Sequence, residues 1–190
     1  MNLPNKLTIF RVFLIPLFLI FINIDTKIGV LGALITFIVA SITDQLDGFI
    51  ARKYNLITDF GKFMDPLADK LLVLSALISF IELNLVSALP VIIIVSRELI
   101  ITGIRLIIVS ERGKVIAADM YGKLKTVFQI IAVIFILLKL YLVNFLPSYT
   151  ALTTSVMWIA DVTFYICVLL TILSGWDYIK KNLKTLKEIL

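Results

Sequence analysis

Four aspartates carry the strongest chemical signal in the chain. Asp44 and Asp47 are three residues apart and Asp65 and Asp69 four apart, spacings that put each pair on one face of a helix. Both pairs border long apolar runs, where an unpaired charge is costly. Four carboxylates converging in a partly dehydrated pocket cannot all ionise without cations. The chain has no histidine, and its one cysteine, Cys167, sits in an apolar run without a partner. A metal must therefore bind oxygen, and aspartates at this spacing suit one or two hard divalent ions such as Mg²⁺ or Mn²⁺, as a two-metal clamp. The competing reading pairs the acids with Arg52, Lys53, Lys62 and Lys70; it accounts for the charges but not for two facing pairs. Asp65 also precedes Pro66 and could cap the third helix. Around the acids stand Gly48, Ala51, Arg52 and Gly61. Small residues let a ligand approach, and Arg52 offers a planar donor for phosphate, so the set points to a diphosphate.

The elements that must position these residues are membrane helices. Of 190 residues 61% are apolar and 16% charged, and the mean hydropathy is +1.07. That composition excludes a disordered chain, a coiled coil and a disulfide scaffold, and leaves no separate soluble domain. A helix needs about 20 apolar residues to cross the hydrocarbon core. Six such runs are predicted, at 7–24, 28–51, 66–81, 86–109, 127–143 and 151–173, in one all-α membrane domain over 1–190. The first run has no small-residue cleavage site after it and is read as a span rather than a signal peptide.

With both termini on one side, only Lys27 and Lys139 of the 18 basic residues fall toward the other. The positive-inside rule then places both ends in the cytoplasm. At 1.5 Å per residue Asp44 lies roughly 24 Å from the outer start of its helix and Asp69 roughly 18 Å from the outer end of the next, so the pairs come level near the cytoplasmic side. The tail, 174–190, mixes Lys180, Lys181, Lys184 and Lys187 with Leu183, Leu186 and Ile189; it reads as an amphipathic segment on an anionic surface, or as a stop-transfer flank. Nucleic acid is not an expected partner.

The run Asp44-x2-Asp47-Gly48-x2-Ala51-Arg52-x8-Gly61-x3-Asp65-x3-Asp69 resembles, at all eight fixed positions, the signature of the CDP-alcohol phosphatidyltransferases. The resemblance extends to the six-span architecture. It implies transfer of a phosphatidyl group from CDP-diacylglycerol to an alcohol with release of CMP. By it, Asp44, Asp47, Asp65 and Asp69 hold two divalent ions, and Asp69 is also the base for the acceptor hydroxyl. Gly48, Arg52, Thr58 and Gly61 look like the nucleotide-side positions. Asn5 and Thr8, in the Pro4–Arg11 entry, are similar to residues that face CDP in the family, though a helix cap and an interface hydroxyl explain them equally. A homodimer in the bacterial cell membrane, its active site facing the cytoplasm, is implied on the same ground.

The acceptor must be read from other polar groups inside the spans. The segments 96–105 and 121–126 resemble those of bacterial phosphatidylglycerophosphate synthases, whose acceptor is glycerol 3-phosphate. Glu98 and Arg105, seven apart, could form a self-contained ion pair. Arg97, Arg105, Lys123 and Lys125 exceed what Glu98 neutralises, which suits an acceptor bearing its own phosphate. Arg97, Arg105 and Lys123 are the residues expected to hold that phosphate. Asp161 has no role in this reading. The alternatives are an acceptor such as inositol phosphate, serine or phosphatidylglycerol, a membrane prenyltransferase using Asp-rich helices and Mg²⁺, and a divalent-cation transporter. The prenyltransferases lack the Gly48/Ala51-Arg52 pattern, and a transporter would carry its acids nearer the midplane.

Overall fold

The computed structural model describes residues 3–53, 59–112, 120–146 and 150–189, and in them the chain is all-helical. Six helices follow one another: α1 Leu3–Ile22, α2 Lys27–Lys53, α3 Asp59–Glu82, α4 Ala88–Arg112, α5 Met120–Phe145 and α6 Thr150–Ile189. Three stretches, Lys27–Asp44 of α2, Met120–Phe145 and Thr150–Leu183 of α6, are long and apolar enough to cross a bilayer.

Local chemistry fixes the helix ends. Thr26 caps α2 by accepting a hydrogen bond at its Oγ1 from the Gly29 N–H (3.1 Å). A Cβ at Gly29 would stand 2.3 Å from the Ile24 carbonyl oxygen, so only glycine lets α2 start this close to the end of α1. After α3 the chain turns at Asn84, whose φ of 55° is left-handed. The Leu85 N–H reaches back to the Phe80 carbonyl (2.9 Å) and that of Asn84 to Ile81 (3.0 Å), the two bonds of a Schellman cap.

α1 packs against α2 and α3, α5 against α2 and α6, and α4 against α6. The shared core holds Phe18, Phe37, Leu77, Phe80, Val133 and Leu137, with the rings of Phe18 and Phe37 tilted at 6.2 Å. Phe13, Ile28, Ile35, Ile78, Leu89 and Trp158 point outward and exposed, as expected where the surrounding medium is lipid. Ile22, Asp25, Leu83 and Asn144 line one cavity of about 360 Å³. The α1–α2 and α3–α4 turns and the end of α5 are therefore gathered at one end, and Lys53, Asp59, Arg112 and Met120 close their helices toward the other.

The helices exceed the predicted apolar runs at that second end. α3 begins at Asp59 rather than Pro66 and α5 at Met120 rather than Val127, while α6 continues to Ile189. Apolar content marks only the part of a helix that is out of water, whereas backbone hydrogen bonding carries on into the polar zone. Two expectations change. Asp65 lies inside α3 and is not its cap. The tail is not a separate segment but the last turns of a 40-residue helix.

Candidate active site

Two polar groupings lie toward the second end. The first is built on α1, α2 and α3. Asp44, Asp47, Gly48 and Arg52 stand on α2, and Gly61, Asp65 and Asp69 on α3. Asp47 and Asp65 are each about 9 Å from the facing helix ends at Lys53 and Asp59, and Asp44 and Asp69 about 14–15 Å. Since α2 and α3 are in contact, the two pairs sit at matching depths. Four aspartates at matching backbone depths on two helices in contact, in a chain without histidine, are oxygen donors of the type that suits a hard divalent ion. Of the eight signature residues only the Asp44 side chain is among those described; Asn5 is likewise placed by its backbone on α1, and Thr58 lies outside the described residues.

Asp44 is met by Arg11. The guanidinium Nη1 is 2.7 Å from Asp44 Oδ1, the arginine side chain is fully buried, and the carboxylate is one-third exposed. The sequence reading offered Arg52, Lys53, Lys62 or Lys70 as partners and passed over Arg11, which lies in the entry segment one helical turn after Thr8. Thr8 is itself buried and, three residues away, shares that face of α1. A buried arginine on a carboxylate that is one-third exposed fixes the orientation of that carboxylate.

The second grouping is a cavity of about 150 Å³ between α3, α4, α5 and α6. Among the described residues its polar wall holds four cations, Lys70, Arg97, Arg105 and Lys125, and one carboxylate, Glu98. Glu98 is buried. It pairs with Lys125 and with Arg97 (Nη1–Oε1 3.5 Å), and Lys70 stands 3.9 Å from its other oxygen. Lys70 also donates to Thr102 Oγ1, which in turn donates to the Glu98 carbonyl at 2.6 Å. The predicted Glu98–Arg105 pair is not formed: Arg105 lies over the Tyr178 ring, 5.9 Å from its centroid.

Of the expected phosphate ligands, Arg97 and Arg105 both line this cavity. Lys123 does not; it is exposed, on a different face of α5 from Lys125, because residues two apart are about 200° apart around a helix. The buried lysine is Lys125, which the sequence reading counted in the charge excess but did not choose. The predicted distinction needed helix phase, and the phase was hidden while 110–125 was read as a connection.

Lys70 and α6 were also missed. Lys70 follows Asp69 directly on α3, so the cavity borders the turn that carries the end of the aspartate signature. Thr171, Ser174, Tyr178 and Asn182 are all buried, and their spacing of three to four residues draws a polar stripe along α6. That stripe was the available signal. Asp161 acquires a partner as well: Lys139 Nζ is 2.8 Å from its Oδ1.

Comparison with known proteins identifies the family. The profile of the family described as CDP-alcohol phosphatidyltransferase matches residues 1–173. A protein of Bacillus subtilis (strain 168) named CDP-diacylglycerol--glycerol-3-phosphate 3-phosphatidyltransferase is 45% identical, covering 98% of this chain and 97% of its own length. Proteins of the same name from Rickettsia typhi and Haemophilus influenzae are 37% and 42% identical, over 94% and 69% of this chain and 96% and 72% of their own lengths. With the family profile matching residues 1–173 and a relative 45% identical over 98% of the chain, the protein belongs to the CDP-alcohol phosphatidyltransferase family.

Proposed function

We propose that this phosphatidyltransferase moves the phosphatidyl group of CDP-diacylglycerol to glycerol 3-phosphate, giving phosphatidylglycerophosphate and CMP. The observation that carries the reading is the cavity lined, among the described residues, by four cations and one carboxylate, beside the helix turn that follows Asp69. An acceptor without charge has no use for that excess; one carrying a phosphate neutralises it. The names of the three relatives support the same donor and acceptor.

In this reading Asp69 takes the proton of the acceptor hydroxyl. The hydroxyl oxygen attacks the phosphatidyl phosphorus, the bond from that phosphorus to the bridging oxygen breaks, and CMP leaves with the electron pair. The family is generally dependent on a divalent metal; Asp44, Asp47, Asp65 and Asp69 would hold it, as Mg²⁺ or Mn²⁺ and as two ions, and it would supply charge neutralisation on the diphosphate. Arg11 orients Asp44. Asn5, Thr8, Gly48, Arg52, Thr58 and Gly61 receive the CDP side. Arg97 and Arg105 hold the acceptor phosphate, together with Lys70 and Lys125, and exposed Lys123 adds only to the field that draws the anion in.

All six helices cross the bacterial cell membrane, with both termini and the site at the cytoplasmic face, and the enzyme works as a homodimer. The distribution of basic residues supports the orientation, and family resemblance the dimer. The test is CMP release from CDP-diacylglycerol by purified protein in detergent with Mg²⁺ or Mn²⁺, comparing glycerol 3-phosphate, inositol phosphate, serine and phosphatidylglycerol. Release that requires glycerol 3-phosphate is the expected result; release with another acceptor alone refutes the assignment.

A further inference from the structure

The basic cavity contains more unmet hydrogen-bonding capacity than its ion pairs explain. Arg97 Nε, Arg105 Nε and the Tyr178 hydroxyl are all buried with no hydrogen-bond partner among the described residues, and all three residues line the same cavity. Leaving one such donor unmet costs about 1–3 kcal/mol, so three around one space mark a site built for a ligand rich in acceptor oxygens. Tyr178 is only 6% exposed. It comes from the part of α6 that the sequence assigns to a surface tail.

Its position is fixed from both sides. The Asn182 side-chain amide donates to the Tyr178 carbonyl (2.8 Å), in the α6 helix that continues past it. One turn earlier, a Cβ on Gly175 would stand 3.1 Å from Arg97 Cγ, so the stem of Arg97 rests on a bare patch of the same helix. The bland explanation is that Tyr178 only provides a ring for Arg105 to lie on. That accounts for the ring and leaves the hydroxyl, which is buried at a cost, without a reason.

We propose that Tyr178 is an acceptor-binding residue, its hydroxyl donating to a phosphate oxygen of the acceptor between Arg97 and Arg105, so that the end of α6 is a wall of the active site. A phosphomonoester offers a tetrahedral set of oxygens to donors from α4 and α6 together, which a flat carboxylate does not. The inference rests on the acceptor reading above, and its experiment separates the two.

Steady-state CMP release is measured for the parent, Tyr178→Phe and Gly175→Ala at varied glycerol 3-phosphate and varied CDP-diacylglycerol, with inorganic phosphate as a competing anion. Tyr178→Phe keeps the ring and loses only the hydroxyl. It is expected to raise the KM for glycerol 3-phosphate about tenfold, to raise the inhibition constant of inorganic phosphate by a similar factor, and to leave the KM for CDP-diacylglycerol within about twofold of the parent. Gly175→Ala, which pushes on Arg97, is expected to raise the acceptor KM by about two- to fivefold. A parent that releases no CMP with glycerol 3-phosphate overturns both readings. A parent that does so, with acceptor KM and phosphate inhibition unchanged in both variants, overturns the role of Tyr178 alone. So does an equal rise in both substrates' KM, which is the mark of a purely structural residue.

Discussion

Among the described residues, a lysine of α5 meets a carboxylate on a neighbouring helix in two places, and they differ in charge balance. Lys139 faces Asp161 of α6 one to one, at 2.8 Å, with the carboxylate half exposed. Lys125 faces Glu98 of α4 in the interior, and there Arg97, Lys70 and Arg105 crowd in as well. The first pair cancels its own charge. Among the described residues the second brings more cations than carboxylates to the wall of a cavity, and that difference is what the proposed acceptor phosphate would answer.

The comparison is broken most severely at the reacting end. Asp69→Asn removes the proposed base while preserving shape, and turnover is expected to fall at least about 10²–10⁴-fold, with CDP-diacylglycerol still bound in an equilibrium assay. Donor binding lost to the same extent would make Asp69 a metal-holding residue only.

Next in size is the unbalanced cluster. Lys125→Met leaves buried Glu98 with weaker partners; removing one member of a buried pair costs about 3–5 kcal/mol, so the melting temperature in detergent should drop. The double variant Lys125→Met with Glu98→Met should recover most of that stability yet retain a raised KM for glycerol 3-phosphate. Recovery of both stability and KM would reduce the cluster to packing.

The balanced pair gives a smaller effect. Lys139→Leu combined with Asp161→Leu is expected to keep acceptor KM unchanged and to leave stability within about 1 kcal/mol of the parent or above it. Smallest is Lys123→Ala, which touches only the outer field: its acceptor KM should rise no more than about twofold at low salt and merge with the parent at high salt, where exposed charges are screened. A larger shift than that of Lys125→Met would return Lys123 to the site.

The aspartate signature was legible because fixed residues at helical spacing survive any uncertainty in helix ends. The six-helix order was legible for a similar reason, since apolar runs are long. What stayed hidden depends on phase and on contacts between distant segments. Whether Lys123 or Lys125 turns inward is decided by where α5 begins, and the apolar run gave Val127 rather than Met120. Arg11 and Asp44 are far apart in sequence, and nothing local says they touch. Tyr178 belongs to α6 but follows the end of its predicted span at 173, so the polar stripe from Thr171 to Asn182 was split between a span and a tail.

The central claim is that the excess positive charge in the α3–α6 cavity reads the phosphate on the acceptor. It is tested most directly by comparing kcat/KM for glycerol 3-phosphate and for glycerol, in the parent and in Arg105→Gln. The account predicts strong preference for glycerol 3-phosphate in the parent and a loss of about 10- to 100-fold of that preference in the variant, confined to the phosphorylated acceptor. An unchanged ratio, or equal losses for both acceptors, would contradict it.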